Sequence, residues 1–570
     1  MGTIAVVSCQ VDSSYQAVPL GAASVVSALK ADPDIASCAD VRLLDYALDE
    51  ARFSGLDANA IGSVIAREIA SLPDRPLLVG FSVYVWNRAV LEAAATFLAN
   101  AVAGVVLFAG GPEITALPAS VAESPFGTLV RGEGEGPSRV IARQWLSLED
   151  TPKSAGQPSV LVSADQPSSS RSSSLSSLPS PWLDGSLDDC RAVSVHKGAL
   201  WELARGCPYS CSYCYESKGE RKVRYMPMAR LEAELRRFTE IGIERVFVLD
   251  PTYNTSRERA LEILALLERE APSIHVNFEA RAELVDRELA RAFSRIPCSV
   301  QIGLQSSNPK ALECVGRPSD MKAFARKISL LNDEGVIFGL DLMYGLPHDS
   351  LSLFRASLDF ALSLYPNNLE IFRLAVLPGT RLFDEAASLS LSFDSAPPYH
   401  VRATPTFGAA DLEKAAALAR AADVFYTQGR AVSWFLAVLH PLKLKSSQFL
   451  SDFTRFLEIE CPAVLTAREA SLSHAEAERL QLAFIERKYA EKGLSWAFPA
   501  ARDLVALHGA WTRAFAEEEV SALSLSYDPE DLMGGDAMDI ASFAENAYME
   551  SFEVRVVPGP EGPEILATEK

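Results

Sequence analysis

Histidine is scarce in this 570-residue chain: there are seven, and none precedes His196. That excludes a metal site of clustered imidazoles from the first 195 residues. Positive charge is also in deficit, with 53 Lys and Arg against 74 Asp and Glu and a net charge of -21. There is no long basic run of the kind a phosphate backbone requires, so nucleic acid is not expected as the main partner. The last sixty residues hold 14 acidic and 3 basic side chains, a surface that mainly supports solubility. Nowhere do about 18 apolar residues follow one another without a charge, so no membrane span is expected. The start, MGTIAVVSCQ, lacks the charged lead and long apolar core of a secretion signal, which makes the cytoplasm the expected location. Nine cysteines, an odd number spread thinly, do not make a disulfide framework.

What is present has a globular balance, 48% hydrophobic and 22% charged, and the length suits three or four domains at about 150 residues each. The first 150 residues alternate apolar runs with amphipathic ones. Strands are expected at 3–9, 41–46, 76–85, 104–111 and 128–132, with helices between them. That pattern predicts an α/β, Rossmann-like doubly wound parallel sheet, whose ligands sit beyond the carboxyl ends of the strands. Those ends carry Ser8 and Gln10, then Ser82, Tyr84 and Trp86, then Gly110, Gly111, Pro112 and Glu113, and last Gly132, Glu133 and Gly134. Ten of the twenty residues from 161 to 180 are serine, which predicts a flexible linker over 151–180. Six further β/α units over 181–405 predict a partial (β/α)6 barrel with its chemistry at the C-terminal strand ends. Residues 406–570 read as mainly α-helical, with a strand at 552–557, and the helices are expected to close the barrel mouth. Segment 397–407, rich in proline, is expected to thread past that mouth.

Three cysteines, Cys207, Cys211 and Cys214, fall together directly after the first barrel strand. Mononuclear zinc usually takes two close pairs of ligands, and neither a second C-x-x-C nor an H-x-x-H lies nearby. Three thiolates can hold three irons of a 4Fe-4S cube and leave the fourth open. The alternative is a set of buried or zinc-binding cysteines.

At these residues the sequence resembles the radical S-adenosylmethionine superfamily, whose CxxxCxxC signature Cys207, Cys211 and Cys214 match, with Tyr213 at the aromatic position. The resemblance implies that the open iron chelates the methionine moiety of S-adenosylmethionine and that reduction yields a 5′-deoxyadenosyl radical. It implies that Tyr213 packs near the adenine and that Asp250, at the end of the second barrel strand, meets the methionine amine. Glu279, Arg281, Gln305 and Ser306 would point into the mouth, Arg281 gripping the carboxylate through its fork and Ser306 meeting the ribose. Gly345, in Gly-Leu-Pro after the fifth strand, would pass near the adenine. Strand-end capping or ordinary ion pairing is the alternative for these polar residues.

A doubly wound domain before such a barrel resembles the cobalamin-binding branch of that superfamily. The matching pieces are 19–29, 80–87, 108–115 and 130–137. The resemblance implies that the first-domain strand ends named above cradle cobalamin. The Asp-x-His-x-x-Gly motif that many corrinoid proteins use to ligate cobalt is missing, so the lower face would meet water or a side chain of the 82–87 loop. The activity implied is radical methyl transfer from methylcobalamin to an unactivated carbon. Oxidative cyclisation or ring rearrangement is the second reading, and a corrinoid or iron–sulfur sensor is the third. A small-molecule, lipid or peptide substrate and a low-potential donor such as flavodoxin or ferredoxin are the partners expected. Tyr84, Trp86, Tyr253, Tyr344 and Arg373 are further candidates for the mouth.

Overall fold

A computed structural model describes residues 2–73, 77–116, 124–147, 159–162, 175–216, 222–466, 472–560 and 562–567. The first domain is a parallel sheet in the order β2-β1-β3-β4-β5-β6. Its strands are β1 (Gly2–Gln10), β2 (Ala39–Ala47), β3 (Leu77–Ser82), β4 (Val106–Gly110), β5 (Thr128–Arg131) and β6 (Ser159–Val162). Strand β1, flanked by β2 and β3, is buried along almost its whole length, as expected when helices cover both faces of a parallel sheet. Strand order reverses between β1 and β3, which places the ligand-side crevice at the ends of those strands.

β6 corrects the linker expectation. Residues 159–162, Ser-Val-Leu-Val, pair in parallel with β5 inside the segment read as flexible. A short β-branched run can complete a sheet edge even in a serine-rich context. Leu175 packs in the barrel's own core; residues 151–158 and 163–174 lie outside the described residues.

The second sheet has six parallel strands in sequential order: Gly198–Trp201, Arg245–Val248, His275–Ala280, Cys298–Gln305, Ile337–Tyr344 and Asn368–Arg373. Six strands do not close a barrel of this kind, so two edges need covering. Trp182 Nε1 donates to Leu200 O at 3.2 Å along the first edge. On the sixth strand, Thr427 Oγ1 exchanges hydrogen bonds with the amide and carbonyl of Leu369, each 3.1 Å, and Tyr426 Oη donates to Pro366 O at 2.7 Å.

That second cover comes from the C-terminal region. Its helices, Ala409–Ala422, Ser446–Glu460, His474–Glu491 and Phe498–Glu517, pack around Phe425, Phe449, Phe453 and Phe484. This region also bonds Asp359 through Ser447 N at 2.7 Å and reaches the end of the sixth strand through Glu413, which accepts from Arg373 at 3.1 Å. A three-stranded antiparallel sheet, Ser521–Leu525, Phe552–Val557 and Glu564–Ala567, completes the region. Only its middle strand was foreseen, because the outer two are short.

Candidate active site

The first barrel strand leads through Gly206, at φ +94°, into the cysteine loop. Cys207 and Cys211 are buried and Cys214 is half-buried. The loop is held from other strand ends: Ser212 N donates to Val315 O at 2.9 Å and Leu382 N to Ser212 O at 2.8 Å. Two guanidiniums flank it. Arg317 donates through Nη2 to Gly303 O at 2.6 Å and places Nη1 3.9 Å from Cys211 Sγ. Arg281 lies 3.7 Å over the Tyr209 ring and donates to Glu283 Oε1 at 2.6 Å. Among the described residues no three His, Cys, Asp or Glu side chains converge as one metal ion would require. In a 4Fe-4S cube each thiolate binds a different iron, so three separated thiols suit a cluster better than mononuclear zinc.

The barrel interior behind this loop is polar. Glu279, Gln301, Gly339 and Asn368 lie at one level across neighbouring strands, and Gly303, Asp341 and Glu370 at the next. The glycines make room for their neighbours: a Cβ at Gly339 would lie 2.0 Å from Gln301 Oε1, and one at Gly303 would lie 2.4 Å from Gln305 Nε2. Gln301 Nε2 donates to Asp341 Oδ1 at 2.5 Å. Glu279 and Glu370 keep solvent-exposed side chains, yet desolvation by the surrounding protein first, then the neighbouring carboxylates, push both up to about 7.

The expected cofactor contacts divide. Gln305 is buried at φ +67°, where the register shifts by a bulge between Gly303 and Gln305. That kink is a common device for re-aiming a side chain at a site. Tyr213 packs half-buried against the core. Asp250 is otherwise employed: Oδ1 accepts from Leu203 N and Ala204 N, both at 2.9 Å, so it ties the second strand end to the chain entering the cysteine loop. Arg281's Nε is committed to Glu283, as noted. The ribose role of Ser306 is corrected, because its side chain is fully buried, accepting from Asn308 N at 3.0 Å and lying 3.3 Å from Ser357 Oγ. Gly345, at φ +88°, is needed for packing, since a Cβ there would lie 2.6 Å from Val401 Cγ1. Tyr253 and Tyr344 are buried in aromatic packing with Phe278 and Phe354, and Arg373 bonds Val401 O at 2.9 Å and Glu413 at 3.1 Å.

The first domain offers mostly backbone at its strand ends. Asn87 shapes the loop after β3, donating to Cys9 O at 2.9 Å and Ser82 O at 3.1 Å and accepting from Tyr84 N at 2.8 Å. Tyr84 and Trp86 stack with centroids 4.5 Å apart, and Trp86 remains 41% exposed. Ser8 is buried and accepts from Gln10 Nε2 at 2.9 Å. Gly111, at φ +104°, cannot be any other residue without strain, because its Cβ would lie 2.6 Å from Val83 O. Pro112 opens the short helix Pro112–Ala116. Gly132, at φ +80°, donates to Thr115 Oγ1 at 3.1 Å, and a Cβ at Gly134 would lie 3.1 Å from Val25.

Two expected cobalamin contacts have a different use here. Glu133 accepts from Arg224 and lies 3.4 Å from Arg205, which also donates to Glu135 at 2.7 Å. Glu113 accepts from Tyr399 Oη and, at 2.9 Å, from Arg88. Arg205, Arg224 and Tyr399 all belong to the barrel side, so these carboxylates bind the two domains together. The C-terminal ends of the two sheets therefore face one another across a cleft.

Residues 201–361 match the Radical SAM superfamily. The matched segment carries Cys207, Cys211 and Cys214. The chain is 28% identical over 340 residues to the cobalamin-dependent radical SAM methyltransferase TokK of Streptomyces tokunonensis, which covers 55% of this chain and 49% of TokK. It is 27% identical over 334 residues to 2-(S-pantetheinyl)-carbapenam-3-carboxylate methyltransferase of Streptantibioticus cattleyicolor, with coverage of 55% and 49%. The chain thus spans about half the length of these curated relatives. Among solved structures, the cobalamin-dependent enzyme OxsB superposes with a TM-score of 0.55 at 15% identity, covering 86% of this chain and 79% of OxsB. The methyltransferase TsrM of Kitasatospora setae gives 0.52 at 17% identity, covering 70% and 80%. The chain shares their fold.

The structure adds residues that sequence reasoning missed: Arg317, Tyr209, Asn87 and Tyr399. Arg317 carried one usable signal, a charged residue beside Gly316 in the loop between the helices Pro309–Cys314 and Met321–Asp333. Asn87 and Tyr399 carried none, because their partners are 78 and 286 residues away.

Proposed function

We propose that this chain is a cobalamin-dependent radical SAM methyltransferase acting on a carbon of a small molecule. One observation carries the reading: the cysteine loop and the glycine-built strand ends of the first domain face the same cleft. Cys207, Cys211 and Cys214 would hold a 4Fe-4S cluster with one iron open to S-adenosylmethionine. Arg317, which has donors beyond those it uses on Gly303, is the better fork for the methionine carboxylate, since Arg281 is engaged with Glu283 and Tyr209. Glu279 and Asp341 would accept from the amine and hydroxyl groups of that cofactor. Gly110, Gly111, Gly132 and Gly134, with Ser82, Tyr84 and Trp86, would cradle the corrinoid through shape and backbone. With no histidine before position 196, the first domain would offer it no imidazole. When bound, these groups supply a carbon-centred radical and a transferable methyl group. The protein's own part is to hold the reacting carbons in line and keep water out of the cleft.

The substrate class and the electron donor belong to the same proposal. The two carbapenam-related or cobalamin-dependent methyltransferases above favour a small molecule over a lipid or peptide, and a flavodoxin or ferredoxin would supply electrons. The test is anaerobic reconstitution with cobalamin and S-adenosylmethionine, incubation with a cell extract, and mass spectrometry. A product heavier by one methylene is expected. A product lighter by hydrogens would replace methyl transfer with cyclisation, and a reconstituted protein that takes up no corrinoid would end the reading.

A further inference from the structure

We infer that Tyr399, with Glu113 and Arg88, is a positioning contact that fixes the spacing between the two sides of the cleft. Its consequence for turnover rests on the proposed function; the contact itself rests on geometry. Segment 397–407 runs as a strap along the barrel exit. Val376 N donates to Tyr399 O and Val401 N to Leu374 O, both at 2.9 Å, and Thr406 Oγ1 donates to Asp349 O at 2.6 Å. The side chain of Val401 fills the space that Gly345 leaves beside the fifth-strand exit. The strap thus follows the ends of the fifth and sixth strands, where a substrate would enter.

At Tyr399 the strap crosses to the first domain. Its hydroxyl donates to Glu113, Arg88 Nη1 donates to Glu113 at 2.9 Å and to Tyr399 Oη at 3.2 Å, and Tyr399 and Glu113 are both under 10% exposed. Glu113 follows Gly110 and Gly111, whose backbone touches the 82–84 loop: Val83 N donates to Gly110 O at 2.8 Å and Glu113 N to Val83 O at 3.3 Å. One chain of contacts therefore connects both glycine-side loops to the barrel mouth. A buried charged contact adds little net stability compared with an apolar one of the same shape, but it is directional. Here it selects one separation and one orientation. The Arg205–Glu133–Glu135 contacts hold the cleft beside the cysteine loop, so two separate points fix the domains against rotation.

The test removes one oxygen. In Tyr399→Phe the strap's backbone bonds and ring packing remain. Hydrogen–deuterium exchange of the full chain should rise several-fold in peptides covering 110–116 and 397–407 together, with reconstituted iron content unchanged. Exchange that rises only in 397–407, or in neither, overturns the inference. If Tyr399→Phe fails to fold, Glu113→Gln reads the same contact from the other side, and the same paired rise is expected. In turnover, methylated product per 5′-deoxyadenosine should fall several-fold; an unchanged ratio overturns the positioning role. A wild-type protein that makes no methylated product defeats the proposed function, while the exchange result still decides whether the contact couples the two loops.

Discussion

Glu279, Arg317 and Asp341 project from the barrel into the cleft, whereas Gly110, Gly111 and Gly132 form the first domain's side of it. Both faces are the carboxyl ends of parallel strands, so topology does not explain the difference. The cargo does. A small cofactor with an amine, a carboxylate and hydroxyls is recognised group by group, which calls for placed side chains. A broad, flat macrocycle is recognised by fit, which calls for backbone near its surface and few side chains in the way. Even the acidic residues of the glycine loops conform to this: Glu113 is engaged by Arg88 of its own domain and by Tyr399 of the barrel side, and Glu133 by Arg205 and Arg224 of the barrel side.

The largest test of this contrast is on the barrel side. Replacing Cys207, Cys211 and Cys214 together by alanine should abolish iron and sulfide incorporation under anaerobic reconstitution, measured by elemental analysis. Full retention would mean that the thiols do not hold the cluster. Next is the choice between two arginines. Arg317→Gln should weaken S-adenosylmethionine binding roughly 10- to 100-fold, the range for losing a hydrogen-bonded charge. Arg281→Gln should weaken it far less, because that guanidinium already spends Nε on Glu283 and its face on Tyr209. Equilibrium binding to the reconstituted protein checks both, and equal losses would erase the distinction.

The first-domain side breaks by adding a side chain. Gly111→Ala places a methyl 2.6 Å from Val83 O at a φ of +104°. The strain should cost about 1–3 kcal/mol and appear as a lower denaturant midpoint. Corrinoid uptake should fall with it while iron content holds. An equal loss of cluster would show that the two sides are not separable.

What was legible in the sequence follows the same contrast. The cysteine loop announced itself because its chemistry sits within eight consecutive residues. All strands of both sheets but β6 were legible, because buried parallel strands are continuous apolar runs bounded by polar ones. Side-chain direction was not legible. Ser306 and Gln305 are neighbours, yet a bulge turns one inward to Ser357 and leaves the other at Gly303. Arg281 and Arg317 look alike as letters, and only their partners across the barrel distinguish them. β6 was hidden by its serine-rich surroundings, since four residues on a sheet edge need little hydrophobic signal when a neighbouring strand supplies the pairing.

Asp250 gives the finest test, because it stands on the barrel side yet acts on backbone, as the first domain does. Burial is the main cause that pushes its carboxyl up to about 7, despite two amide donors that favour the charged form. An unfolded aspartate titrates near 3.9. The folded chain therefore binds a proton more tightly than the unfolded one, so this residue's contribution to stability is full below about pH 4 and is lost as pH rises through about 7. In Asp250→Asn the amide oxygen can still accept from Leu203 N and Ala204 N, but nothing titrates. The urea midpoint of the wild-type chain should fall between pH 5 and 7 more steeply than that of the variant. The difference must stay under the ceiling of about 1.4 kcal/mol per pH unit that one proton allows. Parallel slopes would show that Asp250 is already charged at pH 5, and that the two amides outweigh burial in setting the entry to the cysteine loop.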